Sequence, residues 1–410
     1  MSGGDAMRIL ISGASVAGPV LAYWLNRHGF SATLVERAPT LRKTGGHAVD
    51  LFRPSLGIVE RMGLRRQVLD GEVGTERVTF LLEGAKPIRL DHHRALGVTT
   101  DAHVEIMRDD LSEIFYHATR EDVEYVFGDS ITSIENGRDE VRVTFERGSP
   151  RTFDLVIGAD GLHSNVRGLV FGEEHRFAHH LGGYVAVATV PDHLGLSAEM
   201  ITLAGPGRML ALYSPRHLNE ARVIFMFRSP DRLDYHYRDT QRQKELLREH
   251  FAGVGWETPR LLAELDHAPA FYFDEITQLR LERWSQGRVS LVGDAAYCPG
   301  PAVGASTSMA VIGAYVLAGE LAAAGGDHTV AFASYEREMT AYVQAARDYA
   351  ARMVKQVIPG SQAQVWAGAQ ALRVIGWLPG RLGRALSKRA NSTGVHDDVE
   401  VKSYADGPHG

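Results

Sequence analysis

The chain's first ordered stretch, "MRILISGASVAGPVLAYWLNRHGFSATLVER", constrains the fold more than any other part of the sequence. Residues 8–12 are a short apolar run that reads as a buried strand. Residues 16–28 read as a helix, because Val16, Val20 and Trp24 recur every four positions with Ala17, Leu21 and Leu25 beside them. "SATLVE" is a second strand ending on Glu36. Strand, helix and strand at this spacing predict a right-handed βαβ unit with parallel strands. "GASVAG" marks the turn between the first strand and the helix. Gly13 permits a tight exit from the strand, the small Ser15 lets backbone approach a pyrophosphate, and Gly18 lets the helix lie close to the sheet. The helix start, with Val16 and Ala17, points free N–H groups and a positive dipole at phosphate oxygens. Glu36 stands 23 residues after Gly13, where a carboxylate can accept ribose hydroxyls. A hydrolase nucleophile elbow built on Ser15 needs glycine two residues later, and Ala17 is there instead.

Two further strands end in the same manner. "DLVIGADGLHSNVR" carries an apolar run to Asp160-Gly161. "VSLVGDAAYCPGPAVGAS" carries one to Gly293-Asp294 and then exposes a loop of proline, glycine and small residues before a helix. Each pair alone is a common turn. Three such strand ends in this order together predict a nucleotide site.

Between these motifs the sequence changes character. "GGYVAVATV", "MLALYSP" and "ARVIFMF" are strands with little helix between them, so residues 178–281, with 77–100, are expected to form a sheet-rich substrate domain. Residues 7–76, 101–177 and 282–325 are expected to form a discontinuous Rossmann-like, three-layer α/β domain, with long C-terminal helices over 326–400. The 410 residues exceed what one compact core usually holds.

Bulk properties narrow the class. Net charge is −6, and no basic stripe is interleaved with aromatics, so nucleic acid is not an expected partner. The short cluster Arg381, Arg384, Lys388, Arg389 reads as the solvated face of a terminal helix. A single cysteine, Cys298, excludes an internal disulfide framework, and the paired histidines His92-His93 and His179-His180 lack metal-ligand spacing, so no metal is expected. The start lacks the regions of a signal peptide and no apolar run approaches roughly 20 residues, so a cytoplasmic protein with no membrane partner is expected.

The three motifs together resemble those of the single-component FAD-dependent monooxygenases of the aromatic hydroxylase type. Asp160, Gly161, Ser164 and Arg167 match that family's second motif, and Gly293, Asp294, Ala295 and Ala296 its third. "TGGHAVDL" and "VEIMRDDL" are similar to the subgroup of tetracycline-inactivating monooxygenases. The resemblance implies FAD as cofactor and NADPH or NADH as reductant. Oxygen from O2 would pass through a flavin C4a-hydroperoxide to an electron-rich carbon of a phenol or enol. It also implies that Arg37 flanks the adenosine end and that Asp50 and Arg108 reach flavin or ribityl oxygens. Asp160 would serve both cofactors and Asp294 would hold a hydroxyl of FAD. The loop ending in Gly304, Ala305 and Ser306 would run along the flavin ring, with the helix that follows aiming its positive end at it.

The expected partners are O2 and a small aromatic or polycyclic substrate, on a monomer or homodimer. Tyr184, Tyr213, Met226 and Phe227 from the sheet-rich insert, with His47 and Pro301, are candidate substrate contacts. Met226 and Phe227 are strand neighbours and face opposite ways, so at most one can reach the pocket. No side chain is required as a covalent catalyst. In the loop after Asp294 the family commonly has Gly-Gln-Gly and an asparagine, whereas this chain has Ala305, Ser306 and Ser308. That difference keeps open a non-redox cyclase using FAD as scaffold. A plain NAD(P)-dependent dehydrogenase would leave two of the three strand ends unexplained.

Overall fold

Ile9, Leu10 and Ile11 are all fully buried, as a strand covered on both faces requires. They form the centre of strand β1 (Arg8–Ser12). Helix α1 (Ala17–Arg27) leads from it to β2 (Ser31–Glu36), which pairs parallel with β1 from Arg8↔Ser31 to Ser12↔Val35. The computed structural model describes residues 6–41, 46–82, 86–97, 103–303, 305–391 and 394–405.

A six-stranded sheet grows outward from β1. Its order is Ser285–Gln286, Val289–Leu291, Leu155–Gly158, β1, β2, Glu124–Phe127. Leu155–Gly158 pairs parallel with β1 on one side and with Val289–Leu291 on the other. The three chemically loaded strand ends, Ser12, Gly158 and Leu291, therefore lie side by side although 279 residues separate the first from the last. A two-stranded ribbon of β3 (Ala48–Phe52) and His103–Met107 packs into the same core through Val49, Leu51, Val104 and Ile106.

The seven-stranded sheet runs Phe271–Leu279, Ala178–Pro191, Glu220–Arg228, Arg208–Tyr213, Glu199–Gly205, Arg77–Leu81, Ile88–Asp91. Strand alternation gives it two apolar faces. Tyr184, Ala186, Phe225 and Phe227 pack under helices Thr240–Phe251 and Thr258–Glu264 through Leu247, Phe251 and Leu261. Val185, Val187, Met209 and Met226 face the other way, against Ala350 and Val354.

Those last two residues belong to His328–Val357, a helix of 30 residues and roughly 45 Å by its rise per residue. Its first half places Phe332, Tyr335, Met339 and Val343 in the core of the six-stranded unit, and its second half covers the seven-stranded sheet. One continuous element is thereby shared by both cores. Ser306–Ala323 is long and apolar enough to cross a membrane, but most of it is buried inside the protein, beside α1 and His328–Val357.

Candidate functional site

A cleft of about 360 Å³ opens where β1, β2, Leu155–Gly158 and Val289–Leu291 end, and it continues to the seven-stranded sheet. Gly13 leaves β1 with φ +108°, and its N–H donates to Val35 O at 2.8 Å. A Cβ on Gly13 would lie 2.5 Å from Ala159 O, and one on Gly18 would lie 2.0 Å from Gly13 O. Glycine at both positions is dictated by neighbouring backbone, which cannot yield as a side chain would. Gly18→Ala is accordingly expected to lower stability by about 3 kcal/mol and to impair cofactor retention, as thermal melting and absorbance of the purified variant would show.

No side chain caps the N-terminus of α1, so its leading N–H groups stay free beside Ser15, which is exposed at the cleft mouth. Glu36 is oriented by two backbone donors, Ala14 N–H at 2.9 Å and Ala38 N–H at 2.8 Å. Its remaining lone pairs share the cleft wall with Arg37 and Thr40.

Asp160 accepts from Val166 N–H at 3.0 Å and from the hydroxyls of Ser164 and Ser12. Burial raises its pKa above the usual carboxylate value. Arg167 is buried away from the cleft. It donates to Ala295 O at 3.0 Å, to Leu162 O and to Glu174, and so clamps the second strand-end loop to the third.

Asp294 follows Gly293 (φ +66°) and lines the cleft, near the Cys298 thiol and the Ser306 hydroxyl. Burial raises its pKa too, against the nearby positive charge of Arg108. Ala305 takes a left-handed conformation (φ +49°), and the helix Ser306–Ala323 starts with no side-chain cap. Hydrogen bonds of Ser308 hold that start in place. Ser308 Oγ accepts from Phe52 N–H at 3.0 Å and donates to Asp50 O at 2.9 Å, tying the helix to β3. Gly304 lies outside the described residues.

Val16, Ala17, Arg37, Arg108, Pro301 and Ser306 also line the cleft, as does His47. The His47 ring stacks 6.3 Å from Tyr272, and burial and Arg108 push its pKa down to about 4, so it is neutral at pH 7. Tyr272 donates to Asp274 at 3.0 Å. His163 bridges Asp274 (3.0 Å) and Glu174 (3.0 Å), joining the Asp160 loop to the seven-stranded sheet. Burial favours a neutral His163, but the two carboxylates outweigh it and raise its pKa to about 10. His163 lies within the Asp160-Gly161 motif without being one of its matching residues, and neither Tyr272 nor Asp274 is marked by a motif. Their meeting depends on two segments 111 residues apart.

Several expected contacts fall elsewhere. Asp50 does not line this cleft. Its side chain leaves the opposite face of β3 from Val49 and pairs with His103 Nε2 at 2.7 Å. Tyr184 and Phe227 are register partners on the sheet face covered by the helices of 240–264, so both point away from the cleft. Tyr213 is buried, with its hydroxyl accepting from Ala48 N–H at 2.8 Å. Met226 is on the face toward the long helix, while Val185 and Val187 from that face are the ones that reach the cleft. Gly18 and Ala305 support the walls without lining them.

Residues 6–351 match the family model described as FAD binding domain. The chain belongs to that family. An uncharacterized protein of Mycobacterium tuberculosis is 46% identical over 339 residues, covering 82% of this chain and 90% of its own. A flavin-dependent monooxygenase of Legionella longbeachae is 39% identical over 343 residues, covering 84% of this chain and 87% of its own. Among solved structures, the tetracycline destructase Tet(55) superposes with a TM-score of 0.82 at 34% identity, over 97% of this chain and 99% of that one. The protein is an FAD-dependent monooxygenase, and a plain dehydrogenase is set aside.

The cleft fits FAD on its own chemistry. It combines two helix starts without a side-chain cap, a glycine cradle with no room for a Cβ, and the Asp294 carboxylate in the cleft wall.

Proposed function

We propose that this monooxygenase hydroxylates a polycyclic phenol or enol, with NADPH or NADH as electron donor, and that Asp294, Glu36, Arg37 and the start of α1 hold the FAD. The observation that carries the reading is the continuity of the cleft, which runs from Gly13, Glu36, Asp160 and Asp294 to the apolar Val185 and Val187 and the ring of Tyr272. Cofactor and a flat apolar substrate then share one space. The 34% identity to a tetracycline destructase supports a polycyclic substrate of that kind.

Bound FAD, once reduced, supplies activated oxygen from O2. The chain's own residues position and protect. Val185 and Val187 exclude water from the substrate end. The uncapped helix start at Ser306 presents positive dipole to negative charge developing beside it. Neutral His47 offers one ring nitrogen as donor and the other as acceptor to a substrate hydroxyl.

The test is a spectrum followed by a mass. Purified protein should show flavin absorption that bleaches with NADPH or NADH under anaerobic conditions and returns with air. Turnover with polycyclic phenols should give a product heavier by one oxygen atom. Flavin that neither nucleotide reduces, with or without substrate, together with a product of unchanged mass, would replace this reading with the cyclase.

A further inference from the structure

The last two long helices, Gln362–Trp377 and Gly380–Asn391, take no part in the cleft. Their inner face is docked. Ala369 and Ile375 pack against Ile88 and Leu90, and the Arg94 guanidinium donates to Ile375 O and Leu378 O at the turn between the helices. The outer face is a different surface. Eleven large hydrophobic side chains are exposed among the described residues, and five of them, Trp366, Val374, Trp377, Leu382 and Leu386, fall on these two helices. Trp377 is the most exposed of all, at 88%. Trp366, Val374 and Trp377 share one side of their helix by spacing, and Leu382 and Leu386 lie one turn apart on the next.

Charge says what covers this face. Across the helix pair, residues 362–391, the chain carries five Lys or Arg (Arg373, Arg381, Arg384, Lys388 and Arg389) and no Asp or Glu, in a protein whose net charge is −6. Among the described residues, Arg373, Arg381 and Arg384 form no ion pair, and Lys388 reaches Asp398 at 3.5 Å. Exposed tryptophan and leucine with arginines on the same two helices are the makings of an interfacial anchor: the rings and aliphatic chains enter the headgroup layer while the guanidinium groups stay at lipid phosphates. A second copy of the same face would set like charges against each other. A nucleic acid would match the charge but leave Val374, Leu382 and Leu386 without partners.

We propose that the outer face of the helix pair 362–391 docks the enzyme peripherally on an anionic lipid surface. The proposal goes beyond the substrate reading and does not depend on it. It also revises the expectation that the arginine cluster is merely a solvated face. No part of the chain needs to span the bilayer for it.

The experiment is co-sedimentation of the purified full-length holoprotein with phosphatidylcholine vesicles, with and without phosphatidylglycerol, in low and high salt. Partitioning should be roughly tenfold stronger on the anionic vesicles and should weaken in high salt. The tryptophan emission should shift to the blue on binding. Trp377→Ser with Leu382→Ser should reduce binding roughly tenfold, and Arg381→Gln with Arg384→Gln should remove the preference for anionic lipid. Flavin absorbance and melting temperature should be unchanged in both variants, because Trp377, Arg381 and Leu382 are exposed, Arg384 is partly so, and none lines the cleft. Absence of binding, equal binding to neutral vesicles, or full binding by both variants would overturn the proposal. So would binding to single-stranded RNA that anionic vesicles fail to displace, or a dimer in sedimentation velocity that the Trp377→Ser, Leu382→Ser pair dissolves.

Discussion

Asp294→Ala protein is expected to leave purification without flavin, while its apo form melts no lower than the parent. The two effects have opposite origins. Asp294 stands in the cleft wall with its pKa raised, because desolvation there disfavours its charge. Removing it relieves the apo fold of that desolvation. The same carboxylate is the natural partner for a ligand hydroxyl, and losing a charge-assisted hydrogen bond there weakens binding roughly 10- to 100-fold. Asp294→Asn, which keeps an acceptor without charge, should fall between. The readouts are the ratio of flavin to protein absorbance and a melting curve of each apo form. Full flavin occupancy in Asp294→Ala would remove this residue from the cofactor site.

Stability should fall steeply as pH drops from 6.5 towards 4. His47, His92 and His396 are each lowered from 6.5 to about 4, chiefly by burial. Between those values the unfolded chain binds three protons that the folded chain refuses, so acidification favours unfolding. Glu105 opposes this. Burial raises it to about 7, so its folded state binds a proton that the unfolded state takes up only near 4.5. The raised Asp160 and Asp294 oppose it in the lower part of the range. Three histidines against one glutamate leave a net loss on the order of 5 kcal/mol. His163 acts on the other limb, since its protonated form is held to about 10 and its contribution disappears as pH rises through that value. Melting temperature plotted against pH should therefore peak near neutrality. His92→Leu should flatten the acid limb. An acid limb identical to the parent's would show that His92 accepts its proton in the folded state.

What could be read in advance was local. The βαβ unit, Gly13, Gly18 and Glu36 depend on a run of 31 residues, and their spacing reports directly on turn geometry. The ends of the other two strands were legible for the same reason, as apolar runs stopping at Asp160 and Asp294. Facing was not legible in the sheet-rich insert. Tyr184 and Val185 are adjacent, and which of them reaches the cleft depends on a register with Phe225–Arg228 and on which helices cover which face. Asp50 shows the same difficulty, because a ribbon two strands wide can present either face to the cofactor and His103 had no motif to announce it. The Tyr272–Asp274–His163 chain joins separate strands and loops and could not be assembled without the fold.

The nesting of one sheet inside another fixes an order of events during synthesis. The edge of Leu155–Gly158 waits for Val289–Leu291, which a ribosome delivers roughly 7 to 27 s later at ordinary elongation rates. The helix that both cores share follows later still, beginning at His328. Throughout that interval the nascent chain carries a paired but unfinished parallel sheet with one apolar edge open. An edge left open for that long is a site where nascent chains can pair with one another, so yield depends on protecting it as well as on the stability of the finished enzyme.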